Sequence, residues 1–92
     1  MIKSFKHKGL ESFFKTGNTK GVNQDHVKKL RNLLAKLDSA TEIDDMMYPG
    51  SKLHPLKGKL IGNHAVAVSG NWRVTFKFKN GNAEVIDYLD YH

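Results

Sequence analysis

The 92-residue sequence contains no cysteine, so disulfides, thiolate nucleophiles and zinc–thiolate sites are excluded. Cysteine-free composition suits a reducing compartment. Long apolar runs are also missing: nothing approaches the roughly 20 residues needed to span a bilayer. The opening Met1-Ile2-Lys3-Ser4-Phe5-Lys6-His7-Lys8 carries charge with no apolar block after it, which is not the pattern of a secretory signal. These absences predict a cytoplasmic protein with no membrane segment. Repeats, linkers and low-complexity stretches are absent too, so residues 1–92 read as a single domain. A chain this short buries roughly 60% of its unfolded surface. That supports one modest core and leaves no room for a large cofactor cradle, so no cofactor is expected.

What the sequence does have is positive charge. Fifteen Lys and Arg stand against nine Asp and Glu, for a formal net charge of +6. A small surface this basic attracts polyanions, nucleic acid first among them.

Helical spacing comes first along the chain. Leu10, Phe13 and Phe14 fall on one face of a predicted helix over 8–15, with Gly17 placed as a left-handed stop. Asn23 is a good N-cap for a second helix running to about Asp38, whose apolar stripe is Val27, Leu30, Leu33, Leu34 and Leu37. Ser39 or Thr41 then caps a short turn through Ile43 to Met47. Tyr48-Pro49-Gly50 breaks this pattern, and alternation replaces it. Ala65 to Val68 reads as a strand, and 72–79 as a second with Val74, Phe76 and Phe78 on one face. Asn80-Gly81 is a strong hairpin signal, and a last strand runs from Ala83 to Tyr91. The expected architecture is α+β: helices packed on a three-stranded antiparallel meander, with Ile2–Phe5 as a further edge.

Three groups carry candidate chemistry. Arg73, Lys77 and Lys79 lie on the polar face of the 72–79 strand, and Lys52, Lys57 and Lys59 crowd the loop before it. Together they suit phosphate, with Arg73 able to grip it through two parallel hydrogen bonds. His54 is held in a Leu-His-Pro-Leu setting, where Pro55 forces extended geometry on it. The chain closes on Asp90-Tyr91-His92, an acid, a phenol and an imidazole in succession. His7 and His26 read as surface residues. Cleavage of RNA by its own 2′-hydroxyl needs a base, an acid and positive charge around the phosphorane-like transition state. His54, Asp90, His92, Lys57 and Arg73 supply all three. No ligand pair shows a diagnostic metal spacing, so no metal site is expected.

Five segments in order resemble the HigB toxins, a branch of the RelE superfamily: the opening ten residues, Ala40-Thr41-Glu42-Ile43, Lys52-Leu53-His54-Pro55-Leu56-Lys57-Gly58, Asn71-Trp72-Arg73-Val74-Thr75-Phe76, and Asp90-Tyr91-His92. The resemblance implies a microbial-ribonuclease-like fold, with N-terminal helices packed on a curved antiparallel sheet. It implies cleavage of mRNA in the decoding site of the small ribosomal subunit, and inhibition by a HigA-type helix-turn-helix antitoxin. By residue, it implies that His54, Asp90, Tyr91 and His92 are catalytic and that Lys57 and Arg73 hold phosphate; Lys52, Lys59 and Lys77 are expected as further RNA contacts from their charge and position alone. Either His54 or Asp90 takes the 2′-hydroxyl proton in this scheme. One departure is that residues 63–69 lack a second arginine that some relatives carry there. The alternative reading is a non-catalytic basic module that blocks translation by occupying RNA or the ribosome.

Overall fold

The computed structural model describes residues 1–91, the side chain of Leu60 excepted. Helix α1 spans Lys8–Thr16 and helix α2 spans Val27–Ser39. Four strands follow: β1 (His54–Pro55), β2 (Asn63–Ser69), β3 (Trp72–Lys79) and β4 (Asn82–Asp90). They form one antiparallel sheet in the order β1-β2-β3-β4. The α+β architecture matches the expectation, with one strand more than the sequence suggested. The loop around His54 contributes that strand as a short edge.

Both helices are fixed by local chemistry. His7 Nδ1 accepts the Leu10 N–H at 2.9 Å and so caps α1. Gly17, at φ 80°, ends it in the left-handed region and returns its N–H to Phe13 O. Asn23 caps a single 3-10 turn, Gln24–His26, that feeds α2. The expected cap at Ser39 or Thr41 is replaced by Glu42, which precedes a 3-10 turn over Ile43–Met46. Asp45 Oδ2 accepts from the backbone of Thr41 and Glu42 and from the Thr41 hydroxyl. These bonds, the backbone ones foremost, hold the Asp45 carboxyl below the usual aspartate range.

The core joins Leu10 and Phe13 of α1 and the α2 stripe to one sheet face, while Phe14, expected beside them, is exposed against Phe5. Leu10, Leu30, Leu34, Leu37, Val66, Val74, Phe76 and Ile86 are fully buried in it. Against expectation, His26 is also buried. Its Nδ1 shares a 2.6 Å hydrogen bond with Tyr88 Oη, which also accepts the Asn23 N–H at 3.3 Å. Trp72 packs on Tyr88 with ring centroids 4.6 Å apart and meets His26 edge-on.

One irregularity decides which side chains leave this core. Thr75 pairs with Asp87 and Lys77 with Glu84, so two steps on β3 match three on β4. The extra residue is a β-bulge. Val85 within it takes φ 52°, a conformation a β-branched residue rarely adopts. Ala83 faces the core before the bulge, and Ile86 and Tyr88 face it after. Strict alternation from Ala83 would turn Asp87, Leu89 and Tyr91 inward; the bulge turns them to the open face.

The N-terminal segment runs alongside β4. It touches the strand as two isolated parallel bridges, Ile2 to Ala83 and Phe5 to Ile86, and not as the continuous edge strand expected. Backbone bonds from Lys3 N to Ala83 O and from Lys6 N to Ile86 O, each 2.8 Å, anchor it there.

Candidate functional site

The sheet face turned away from the helices carries the candidate site. Strand register sets its rows. His54 pairs with Ala65, Ala65 with Thr75, and Thr75 with Asp87, so these four share one face across the whole sheet. Ala67, Arg73 and Leu89 form the next row. Ala65 and Thr75 are small and buried, and they make a low floor between His54 and Asp87. Beside that floor lies a cleft of about 270 Å³, lined by Lys6, Asn63, Thr75, Val85, Asp87, Leu89 and Tyr91.

His54 is exposed on the edge strand. Its Nδ1 lies 2.9 Å from the Lys52 carbonyl oxygen. A carbonyl only accepts, so Nδ1 carries the proton of that bond. In the neutral ring the lone pair therefore sits on Nε2, and a general base presents it there. Lys52 takes φ 49°, a left-handed conformation, in presenting this carbonyl. Pro55 does restrict His54 to extended backbone, as predicted, and pairing with β2 completes the hold.

The remaining predicted residues are distributed unevenly. Tyr91 lines the cleft and is 40% exposed; its N–H donates to Asn71 O at 2.8 Å. Asp90 pairs with Trp72, in the row of the core-facing aromatics. The register thus sets Asp90 and Tyr91 on opposite faces, as alternation requires. His92 lies outside the described residues. Arg73 belongs to the open-face row, but its Nη1 donates to Gly70 O at 2.7 Å and to Trp72 O at 2.9 Å. The guanidinium therefore leans onto the β2–β3 turn and away from the cleft floor. Lys57 and Lys59 are exposed around the 3-10 turn Gly58–Leu60, Lys52 is exposed just before His54, and Lys77 is exposed opposite Asn63.

Sequence reasoning missed the Lys6, Asn63, Thr75 and Asp87 side of the cleft. Asp87 is not singled out in the sequence, because strict alternation from Ala83 turns it inward. A clue was present in Ala83-Glu84-Val85-Ile86-Asp87-Tyr88, where two adjacent apolar residues interrupt the alternation. Among the described residues, no group of three or more His, Asp or Glu is placed to hold a metal ion. Acid–base chemistry beside a basic rim is what the residues offer. No helix among the described residues is long and apolar enough to cross a membrane.

Comparison with known proteins agrees with this architecture. The chain is 48% identical, over the full length of both sequences, to Endoribonuclease HigB of Proteus vulgaris. Among solved structures, it resembles in fold a chain of the YoeB–YefM complex from Staphylococcus aureus, with TM-score 0.63 and 20% identity, covering 100% of this chain and 95% of that one. YafQ from E. coli matches with TM-score 0.54 and 18% identity over 94% of this chain and 89% of that one. The model of the RelE-like toxins of the type II toxin–antitoxin system HigB matches residues 3–92, and the chain belongs to that family.

Proposed function

We propose that this toxin is an endoribonuclease that cuts mRNA in the decoding site of the ribosome and so inhibits translation. The observation that carries the reading is the His54–Lys52 hydrogen bond, which leaves Nε2 as the proton acceptor on the exposed edge strand of the open face. The name of the Proteus vulgaris relative supports the same activity.

The reaction follows from the groups available. His54 Nε2 takes the 2′-hydroxyl proton, and O2′ attacks the adjacent phosphorus. Lys57, with Lys52, Lys59 and Lys77 around it, holds the phosphate and offsets its growing charge, and Arg73 joins them once its guanidinium leaves the Gly70 and Trp72 carbonyl oxygens. Tyr91 stacks on a base; such stacking is worth about 1–3 kcal/mol. The bond from phosphorus to O5′ breaks, and His92 protonates O5′; Asp90, set by the register on the opposite face from Tyr91, takes no part in this transfer. The products are a 2′,3′-cyclic phosphate and a 5′-hydroxyl end. The natural inhibitor in this reading is a HigA-type helix-turn-helix antitoxin.

Mapping of mRNA 5′ ends after induction tests the proposal. The wild-type chain should create new internal 5′-hydroxyl ends on translated messages, and His54→Ala should not. Stalled but intact messages would instead establish inhibition by occupancy.

A further inference from the structure

The cleft beside the floor has a second set of groups that the cleavage scheme does not use. Lys6 reaches it from the N-terminal segment and Asp87 from β4, with Nζ and Oδ2 3.9 Å apart. The Lys6 side chain is 68% exposed, and the Asp87 side chain only 23%. Asp87 Oδ1 accepts the Tyr88 N–H at 2.9 Å, so the carboxylate is fixed by its own backbone. Both residues depend on the same device. The bulge at Val85 turns Asp87, Leu89 and Tyr91 outward, and bonds to Ser4 and Ile86 keep the N-terminal segment against it.

A carboxylate here needs a reason. The protein carries a net charge of +6, and its proposed ligand is a polyanion. Asp87 repels phosphate, so its useful partner on RNA is a neutral donor. The ribose 2′-hydroxyl is such a donor, and it distinguishes RNA from DNA. Lys6 beside it has ammonium hydrogens for the phosphate of the same nucleotide. Tyr91 offers an aromatic surface and Leu89 an apolar one for the base. At about 270 Å³ the cleft lies just below the range of small-molecule sites, which suits a single nucleotide.

We propose that this cleft is a nucleotide subsite next to the scissile position, in which Asp87 accepts a hydrogen bond from the ribose 2′-hydroxyl, Lys6 contacts that nucleotide's phosphate, and Tyr91 stacks on its base. The inference rests on the ribonuclease reading and extends it to a residue pair that selects RNA beyond the nucleotide that reacts.

The test uses ribosomes programmed with synthetic messages carrying a single 2′-deoxy nucleotide at each position around the cut. Deoxy substitution at the scissile nucleotide removes the nucleophile and must stop cleavage; if it does not, or if the all-ribose message stays intact, the ribonuclease reading itself fails. At one neighbouring nucleotide, deoxy substitution should lower kcat/KM for the wild-type toxin by about tenfold or more, the loss of a hydrogen bond to a charged group. Asp87→Ala should lose a similar factor and become indifferent to that deoxy substitution. Lys6→Ala, a change at an exposed side chain, should raise KM and flatten its dependence on log salt by about 0.7, the value for one phosphate contact on a single strand. If no neighbouring deoxy position affects the wild type, if the deoxy and Asp87→Ala losses simply multiply, or if the salt slope of Lys6→Ala is unchanged, the subsite is disproved.

Discussion

His54 and Lys52 are joined by a hydrogen bond from Nδ1 to the carbonyl oxygen two residues earlier, 2.9 Å long. That contact sets the tautomer and aims Nε2 away from the backbone. Because His54 is exposed, its removal should leave stability nearly unchanged. His54→Ala should lower the rate of mRNA cleavage by about 10²–10⁴-fold, the usual contribution of a general base. His54→Gln should not restore it, since an amide does not accept a proton at neutral pH. Single-turnover cleavage of ribosome-bound message measures both variants, and near-normal cleavage by either would remove His54 from the base role.

Val85 holds a left-handed backbone conformation inside β4 with φ 52°. For a residue of this kind the strain amounts to about 1–3 kcal/mol. The residue is 46% exposed, so little packing is lost on replacement. Asn adopts the left-handed region more readily. Val85→Asn should therefore stabilise the fold by about 1 kcal/mol, seen as a higher urea midpoint at constant slope. A lower midpoint would show that the Val85 contacts outweigh its backbone strain.

How much of this was legible in the sequence differs between elements. The α2 stripe, Leu10 and Phe13 of α1, the Gly17 stop and the Asn80-Gly81 turn follow from local rules and stand in the structure, whereas Phe14, expected on the same face, is exposed. Each depends on neighbours a few residues away. The His54–Pro55 strand did not show, because two residues have no periodicity; it exists only through pairing with Ala65 and His64. His26 looked like a surface residue for a related reason. It precedes α2, and its burial is set by Tyr88, 62 residues later. Asp87 stayed hidden because one bulged residue reverses every orientation after it. At the site, the His54 and Tyr91 positions were readable as chemistry, whereas the lean of Arg73 onto carbonyl oxygens of the β2–β3 turn was not.

The burial of Tyr88 makes stability depend on alkaline pH. Burial pushes the Tyr88 phenol up from its ordinary value of 10.0, while the Asn23 N–H opposes this in part. The folded state thus favours the neutral phenol. Its contribution is complete below the unfolded value and is lost as pH rises through the raised folded one. Tyr88→Phe should remove that alkaline loss. It should also cost about 1–3 kcal/mol at neutral pH by leaving buried His26 Nδ1 without its partner. Urea denaturation across the alkaline range checks both effects. A mutant curve parallel to the wild type at high pH would show that Tyr88 is not the group responsible.

Gly9 and Gly21 bring two backbone segments into direct contact. A Cβ added at Gly21 would stand 2.4 Å from Gly9 Cα, and one added at Gly9 would stand 2.5 Å from Gly21 O. Both obstacles are backbone atoms, so no side-chain rotation relieves either clash. The contact pins the first turn of α1 to the turn before Val22, a buried core residue. Gly21→Ala should therefore destabilise the protein by about 1–3 kcal/mol through overpacking. The Gly9→Ala change should have a similar effect, despite the helix propensity alanine adds in α1. Since the two glycines share one contact, the double variant should lose less than the sum of the single losses. Equilibrium unfolding of the three variants measures this coupling, and strict additivity would show that each glycine is required for a separate reason.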